Sequence, residues 1–117
     1  MQTRPPPTLP NEPLSVAAPP PLCLRFVYPP ELAGLTVQLS RGLEFGRDPS
    51  SSPSTFCVPH PTVSRRHAGV QHAFAIPILS DLGSSNGTLV NGVVVDKPTA
   101  LTVQAMVRFG DTIAVVD

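Results

Sequence analysis

Asp81-Leu82-Gly83-Ser84-Ser85-Asn86-Gly87-Thr88, continued by Leu89-Val90-Asn91-Gly92-Val93-Val94-Val95, is the stretch that decides the fold. Asn91-Gly92 between two apolar arms is the signal for a type I′ hairpin, whose two central residues both take positive φ. Asn91 is therefore read as a turn residue and not as a ligand group. The eight residues before Leu89 hold two glycines, three hydroxyls and an amide. Such a loop has little to bury and many hydrogen-bonding groups to present. Gly83 and Gly87 have no Cβ to clash at positive φ, so the backbone turns sharply there. Two earlier stretches, Gly46-Arg47 and Ser64-Arg65-Arg66-His67, carry matching donors. Together the three blocks suggest an anion site.

Upstream of the loop the apolar residues recur with period two. Leu22, Leu24, Phe26 and Tyr28 alternate with Cys23, Arg25 and Val27; Val37 and Leu39 alternate with polar neighbours; Leu43 and Phe45 flank Glu44. Phe56 and Val58 continue the pattern, as do Ala68, Val70, His72, Phe74 and Ile76. Short alternating runs separated by Gly, Pro, Ser and Asp clusters predict an all-β sandwich or barrel. No segment has helical periodicity. Pro77 would interrupt a hydrogen-bonded ladder, so its strand is expected at a sheet edge or with a bulge. Val107 to Val116 reads as a strand, a turn and a last strand.

A chain of 117 residues is one domain at most. Ten of its sixteen prolines lie in residues 1–30, and no glycine precedes Gly34. Residues 1–21 therefore read as a Pro-rich flexible tail, unable to bury enough apolar surface to order itself, and residues 22–117 as the folded domain. A lone Pro-Pro-Pro run is too common to signal a groove ligand. The formal net charge is zero, so no overall field draws the chain to nucleic acid or an anionic membrane. The charge is nevertheless uneven. Residues 41–72 hold Arg41, Arg47, Arg65 and Arg66 against Glu44 and Asp48. Arginine is the side chain whose planar fork matches phosphate or carboxylate. Cys23 and Cys57 are too few for a disulfide framework, and no signal peptide or apolar membrane span is apparent, so a cytoplasmic location is expected.

Catalytic readings fail on context. Gly83-Ser84-Ser85-Asn86-Gly87 matches G-x-S-x-G, but a nucleophile elbow needs a helix next, and a hairpin follows. No histidine lies beyond His72 to serve that serine. Ser64 and His67 have no helix to align them as a pair. Cys57, His60, His67 and His72 lack the tight paired spacing of a zinc site. Neither enzyme activity, nor a metal, nor a cofactor is expected. A phosphate site needs a bidentate cation, hydroxyl or N–H donors and a fixed shape. Each hydrogen bond to a charged group contributes roughly 1.5–3 kcal/mol, so three or four would hold a phosphorylated side chain.

In their order, Gly46-Arg47, Ser64-Arg65-Arg66-His67 and Ser85-Asn86-Gly87-Thr88 followed by Asn91-Gly92 resemble the forkhead-associated (FHA) domain family. The resemblance covers about residues 22–117. It implies an eleven-stranded antiparallel β-sandwich whose loops at one end bind phosphothreonine peptides. By position, Arg47 would pair with the phosphate, Ser64 and Ser85 would donate to it, and Arg65 would contact phosphate or peptide. Asn86 would hydrogen-bond the ligand main chain. Gly46, His67, Gly83 and Gly87 would be architectural, with His67 bracing the Ser64 loop from within. Arg66 would point away, and Ser84 has no assigned role. The implied function is that of a phosphothreonine-dependent adaptor in Ser/Thr kinase signalling, its partner a kinase substrate or the kinase itself. The rival is a phosphate-independent assembly or dimerisation scaffold. Thr3 and Thr8 are phospho-acceptors in principle, though an inert spacer is the favoured reading of the tail.

One departure from the family pattern concerns a Gly-Asp turn expected before the penultimate strand. Aligning Val107–Gly110 with that strand puts Gln104-Ala105 at the turn. The other register, with Gly110-Asp111 as that turn, leaves no residues for a final strand, so the first is adopted.

Overall fold

The computed structural model describes residues 21–117. The expectations for the tail, Thr3 and Thr8 among them, lie outside the described residues. Eleven strands follow in order: β1 (Cys23–Tyr28), β2 (Thr36–Gln38), β3 (Glu44–Gly46), β4 (Thr55–Cys57), β5 (Ala68–Ala73), β6 (Ile76–Asp81), β7 (Thr88–Val90), β8 (Val93–Val94), β9 (Thr99–Ala100), β10 (Met106–Phe109) and β11 (Thr112–Val116). They make a six-stranded sheet, β2-β1-β11-β10-β7-β8, and a five-stranded sheet, β4-β3-β5-β6-β9. The architecture is the all-β sandwich expected. Every pairing is antiparallel except β3 with β4, which run parallel. The chain between these two, Arg47 to Ser54, is a crossover too long for a hairpin.

Alternation along each strand builds the core. Leu24 and Phe26 of β1, Phe45 of β3, Val70 of β5, Leu79 of β6, Val107 and Phe109 of β10 and Val116 of β11 are all buried. Four phenylalanines join the sheets: Phe45 stacks on Phe109 with centroids 4.7 Å apart, and Phe26 lies 6.0 Å from Phe56 and 6.2 Å from Phe109. Burying the Phe26, Phe45 and Phe109 rings contributes about 1.5–3 kcal/mol each, and offset pairs at these distances add to it. Val58 and Val63, in the connection between β4 and β5, sink into the same core. They pin the chain on either side of Pro59 to Thr62.

The hairpin at Asn91-Gly92 has φ 52 and 81, both positive as type I′ demands. Asn91 does more than turn: its Oδ1 accepts the Met106 N–H at 2.9 Å and its N–H donates to the Met106 carbonyl at 2.8 Å. The hairpin is thereby tied to β10. A second hairpin was not legible. Ala68 to Ile76, expected as one strand, breaks at Phe74-Ala75 into β5 and β6, paired from Ala73↔Ile76 to Ala68↔Asp81. No Gly, Asn or Asp marks that turn.

Pro77 corrects the edge-or-bulge expectation, since β6 lies between β5 and β9 in a regular β5–β6 register. The Pro77 carbonyl accepts the Leu101 N–H at 2.9 Å. Carbonyl and nitrogen of one strand residue point the same way, so the missing donor faces away from β5 and that ladder loses no rung.

The turn into β10 falls at Gln104, as the adopted register expects, and Gly110-Asp111 joins β10 to β11. Gln104 is held at φ 70, which costs a side-chain-bearing residue roughly 1–2 kcal/mol. Glycine would remove that strain at an entropic cost of roughly 0.5–1 kcal/mol. Gln104→Gly is therefore expected to stabilise the protein by up to about 1 kcal/mol, raising the thermal midpoint by several degrees. A midpoint that falls would refute the assignment.

Candidate functional site

β3 ends at Gly46, β5 begins at Ala68 beside Phe45, and β6 ends at Asp81 beside Ala68. The loops leaving or entering these ends therefore emerge at one pole of the sandwich. Gly46 brings the first two together. A Cβ there would lie 2.1 Å from the Arg65 carbonyl oxygen, a distance no side chain tolerates. Across this contact the Arg47 N–H donates to the Ser64 carbonyl (2.9 Å) and the Asp48 N–H to the Arg65 carbonyl (3.2 Å). The Arg47 Nε donates to the Val63 carbonyl at 2.9 Å. That bond orients the guanidinium and leaves both terminal nitrogens without a partner among the described residues.

Ser64 is fixed from two directions. Its N–H donates to His67 Nδ1 at 3.0 Å, and its Oγ accepts the Ser85 N–H at 2.9 Å. Because Nδ1 accepts, the imidazole proton resides on Nε2, which donates to the Gly87 carbonyl at 2.9 Å. The ring is buried and packs edge-on against Phe109, centroids 5.7 Å apart. His67 thus staples the Ser64 loop to the Gly83–Gly87 loop and both to the core. Desolvation holds its pKa below the usual 6.5, against the opposing influence of the Gly87 carbonyl and Asp81.

That depression has a consequence for stability. Below about pH 6.5 the unfolded imidazole takes up a proton that the folded one resists. Its contribution is complete above that pH and is lost as pH falls toward the folded value. Thermal midpoints are expected to drop on acidification from pH 7.5 to 5.5, with the His67 ring titrating below 6.5 by NMR. A ring that titrates at or above 6.5 would refute the buried neutral staple.

Asp81 organises the loop from beneath, a role the sequence reading did not assign. Its Oδ2 accepts the N–H groups of Gly83 (2.9 Å) and Ser84 (3.0 Å), and its Oδ1 accepts the hydroxyls of Ser84 (2.5 Å) and Thr88 (2.7 Å). Burial works to raise its pKa, but the hydrogen bonds from Ser84, Thr88 and the main chain outweigh it and hold the carboxyl below its ordinary value. Ser84 also acquires a role: its Oγ accepts the Gly87 N–H at 3.0 Å. Gly83 and Gly87 take φ 83 and 88, as expected. An Asp two residues before a Gly, able to cap its own turn, was the available signal. Gly110 was missed as well. Its missing Cβ would fall 2.4 Å from the Thr62 carbonyl, so the β10–β11 turn presses on the loop before Ser64. The Thr62 hydroxyl accepts the Asp111 N–H there at 2.8 Å.

Arg47, Ser64, Arg65, Ser85 and Asn86 all line one open cleft of about 480 Å³. The Asn86 Nδ2 donates to the Thr62 carbonyl at 2.8 Å, which turns its Oδ1 into a free acceptor. The hydroxyl of Ser85 and the guanidinium of Arg65 have no hydrogen-bond partner among the described residues. Arg66 sits at the rim but turns to Glu44, donating from Nε (3.0 Å) and Nη2 (2.9 Å), as its expected outward orientation required. Those bonds hold the Glu44 carboxyl below its usual range. Asp48 accepts from the Ser50 hydroxyl and N–H, and with lesser help from Arg65 and Arg47 these hold its carboxyl low. The cleft therefore presents two arginine forks, hydroxyl donors and one amide acceptor. Cys57, His60, His67 and His72 are scattered, and no group of three metal-ligating side chains is gathered among the described residues. A strand, not a helix, follows Gly87, so the elbow geometry does not arise.

The model of the FHA domain family matches residues 43–110, a span that runs through every block just described. A solved structure from a structural and functional study of phosphothreonine-dependent FHA domain interactions is 30% identical. It superposes with TM-score 0.70 over 83% of this chain and 95% of the other. The FhaA FHA domain complexed with the intracellular domain of Rv3910 is also 30% identical, with TM-score 0.69 over 82% of this chain and 99% of that one. The FHA domain of the CT664 protein from Chlamydia trachomatis shares the fold at 23% identity, with TM-score 0.71 over 83% and 96% of the two chains. A comparison with curated proteins finds no match. The chain belongs to the FHA domain family, whose members are interaction modules. No helix among the described residues is long and apolar enough to cross a membrane.

Proposed function

We propose that this chain is a phosphothreonine-peptide-binding adaptor acting in cytoplasmic Ser/Thr kinase signalling, without catalysis of its own. The observation that carries the reading is the convergence of Arg47, Ser64, Arg65, Ser85 and Asn86 on one cleft, with hydrogen bonds already tying their loops together. In the proposed complex the terminal nitrogens of Arg47 grip two phosphate oxygens, a bidentate geometry that favours arginine over lysine. The Ser64 Oγ already accepts the Ser85 N–H, so its own proton is free to donate to a third oxygen. The Ser85 hydroxyl and Arg65 complete the shell. Asn86 Oδ1 accepts a main-chain N–H of the peptide and holds it extended. The partner is a kinase substrate or the kinase itself, and the domain runs from residue 22 to residue 117.

Preformed loops support the reading, because little ordering entropy remains to be lost on binding. The 30%-identical relative studied for phosphothreonine-dependent interactions supports it too. A phosphate-independent scaffold requires none of the converging donors. Titration with one peptide in phosphothreonine, phosphoserine and unphosphorylated forms tests the proposal. Binding is expected for the phosphothreonine form, weaker for phosphoserine and undetectable without phosphate. Equal affinity for the phosphorylated and unphosphorylated peptides would overturn it.

A further inference from the structure

His60 stands between Pro59 and Pro61 in the connection from β4 to β5, just behind the wall of the cleft. Each proline fixes its own φ, and Pro61 also drives His60 toward an extended backbone. Main chain closes the two ends of this bend: the His60 N–H donates to the Val58 carbonyl at 2.9 Å, and the Val63 N–H to the His60 carbonyl at 3.0 Å. A side chain closes its middle. The His60 Nδ1 accepts the Thr62 N–H at 3.2 Å and meets the Thr62 hydroxyl at 2.8 Å. That hydroxyl already accepts the Asp111 N–H at 2.8 Å, so it turns its own proton to the ring. Two donors thus converge on one ring nitrogen, and the half-buried imidazole holds them as the neutral tautomer with its proton on Nε2.

Thr62 is where this arrangement meets the site. Its carbonyl accepts from the Asn86 Nδ2 at 2.8 Å, the bond that leaves Oδ1 as the free acceptor. A Cβ on Gly110 would lie 2.4 Å from the same oxygen, so the carbonyl has little room to swing. We infer that His60 is a positioning residue for peptide recognition, holding the Thr62 main chain and hydroxyl so that the Thr62 carbonyl orients Asn86. An asparagine in its place would hold the turn too, since its side-chain oxygen accepts the N–H two residues on. Histidine makes the hold conditional, because its charge changes around neutrality. A proton on Nδ1 turns the acceptor into a donor facing two others, and Thr62 is released. Neighbouring elements bring three charged groups to this loop: Arg47 on the Val63 carbonyl, and Arg108 with Asp111, paired at 3.3 Å. Among the described residues none of the three side chains bonds to the ring. The inference rests on the peptide reading of the cleft, because Asn86 is given the peptide main chain there.

The first test needs no peptide. In the full chain labelled with nitrogen-15, the Asn86 side-chain amide is expected to show one proton held by the Thr62 carbonyl and slow to exchange with water. His60→Ala is expected to speed that exchange several-fold, and His60→Asn to return it to the native rate. An Asn86 amide unchanged in a folded His60→Ala protein would overturn the inference. In titrations with a phosphothreonine peptide, His60→Ala is expected to weaken binding about two- to ten-fold, the worth of one neutral hydrogen bond. In an Asn86→Ala background it is expected to add nothing. A loss that adds in full would show a general loosening of the loop and overturn the inference. Lowering the pH from 7.5 to 5.5 is expected to speed the Asn86 exchange in the native protein more than in His60→Asn, and equal profiles would overturn it as well. That comparison needs only these two proteins, so it decides the matter should His60→Ala fail to fold. If the native protein binds no phosphopeptide while the Asn86 amide responds as expected, the peptide reading falls and the positioning of Asn86 by His60 stands.

Discussion

Arg47→Ala is expected to abolish phosphopeptide binding while the protein stays folded. The guanidinium is fixed by one bond from Nε to the Val63 carbonyl, with its terminal nitrogens turned to the cleft. Removing one partner of a hydrogen-bonded charge pair costs roughly 2–5 kcal/mol, a loss of about 30-fold to a few thousand-fold in affinity. Stability should change little, since Arg47 is exposed and only its bond to Val63 is lost. Arg47→Lys should restore part of the binding, because a point charge replaces the fork. Arg66→Ala is the control: its side chain is engaged by Glu44, and affinity is expected to stay close to that of the native protein. Calorimetric titration with a phosphothreonine peptide, beside a thermal melt of each variant, checks all three. Unchanged affinity in Arg47→Ala would remove the central contact from the proposed site.

Gly46→Ala is expected to damage stability and binding together. The new methyl would sit 2.1 Å from the Arg65 carbonyl oxygen and 2.9 Å from its carbon, both main-chain atoms that no rotamer change can clear. The Ser64–Arg66 loop must back away, breaking the bonds from Arg47 and Asp48 N–H to that loop and misplacing Ser64. Overpacking of this kind costs about 1–3 kcal/mol, or several degrees in thermal midpoint for a domain of this size. Gly87→Ala separates sterics from backbone preference. Nothing lies within 4 Å of the Gly87 Cβ position, but its φ is 88. Its penalty should therefore be the left-handed strain alone, roughly 1–2 kcal/mol. A Gly46→Ala protein with native melting and native affinity would show that the close approach of the two loops is dispensable.

Several features were readable before any coordinates because their causes are local. Asn91-Gly92 dictated its own turn, and alternation placed Leu24, Phe26, Phe45 and Val70 inward, where they are. Glycines at 83 and 87 announced positive φ. The misreadings arose where a distant partner overrode the local signal. Phe74 turns the chain without turn chemistry, and Pro77 is accommodated inside a sheet because its nitrogen faces the β9 side. Asp81 and Ser84 had no role assigned from the sequence, yet they bond the loop to itself. The parallel β3–β4 pair left no trace in the alternation, which is the same for either strand direction.

The sequence by itself determined that this chain is all-β, that a polar glycine loop precedes a tight hairpin, and which side chains have the chemistry to hold a phosphate. Period-two burial and turn preference act over a few residues and need no knowledge of the rest. Only the tertiary structure decided that Arg47, Ser64 and Ser85 are neighbours. Their meeting depends on Gly46 passing beneath the Arg65 carbonyl, on His67 joining Ser64 to Gly87, and on Phe109 backing that imidazole from the other sheet. Contacts between residues so far apart along the chain are set by how two sheets pack, and no local pattern encodes them.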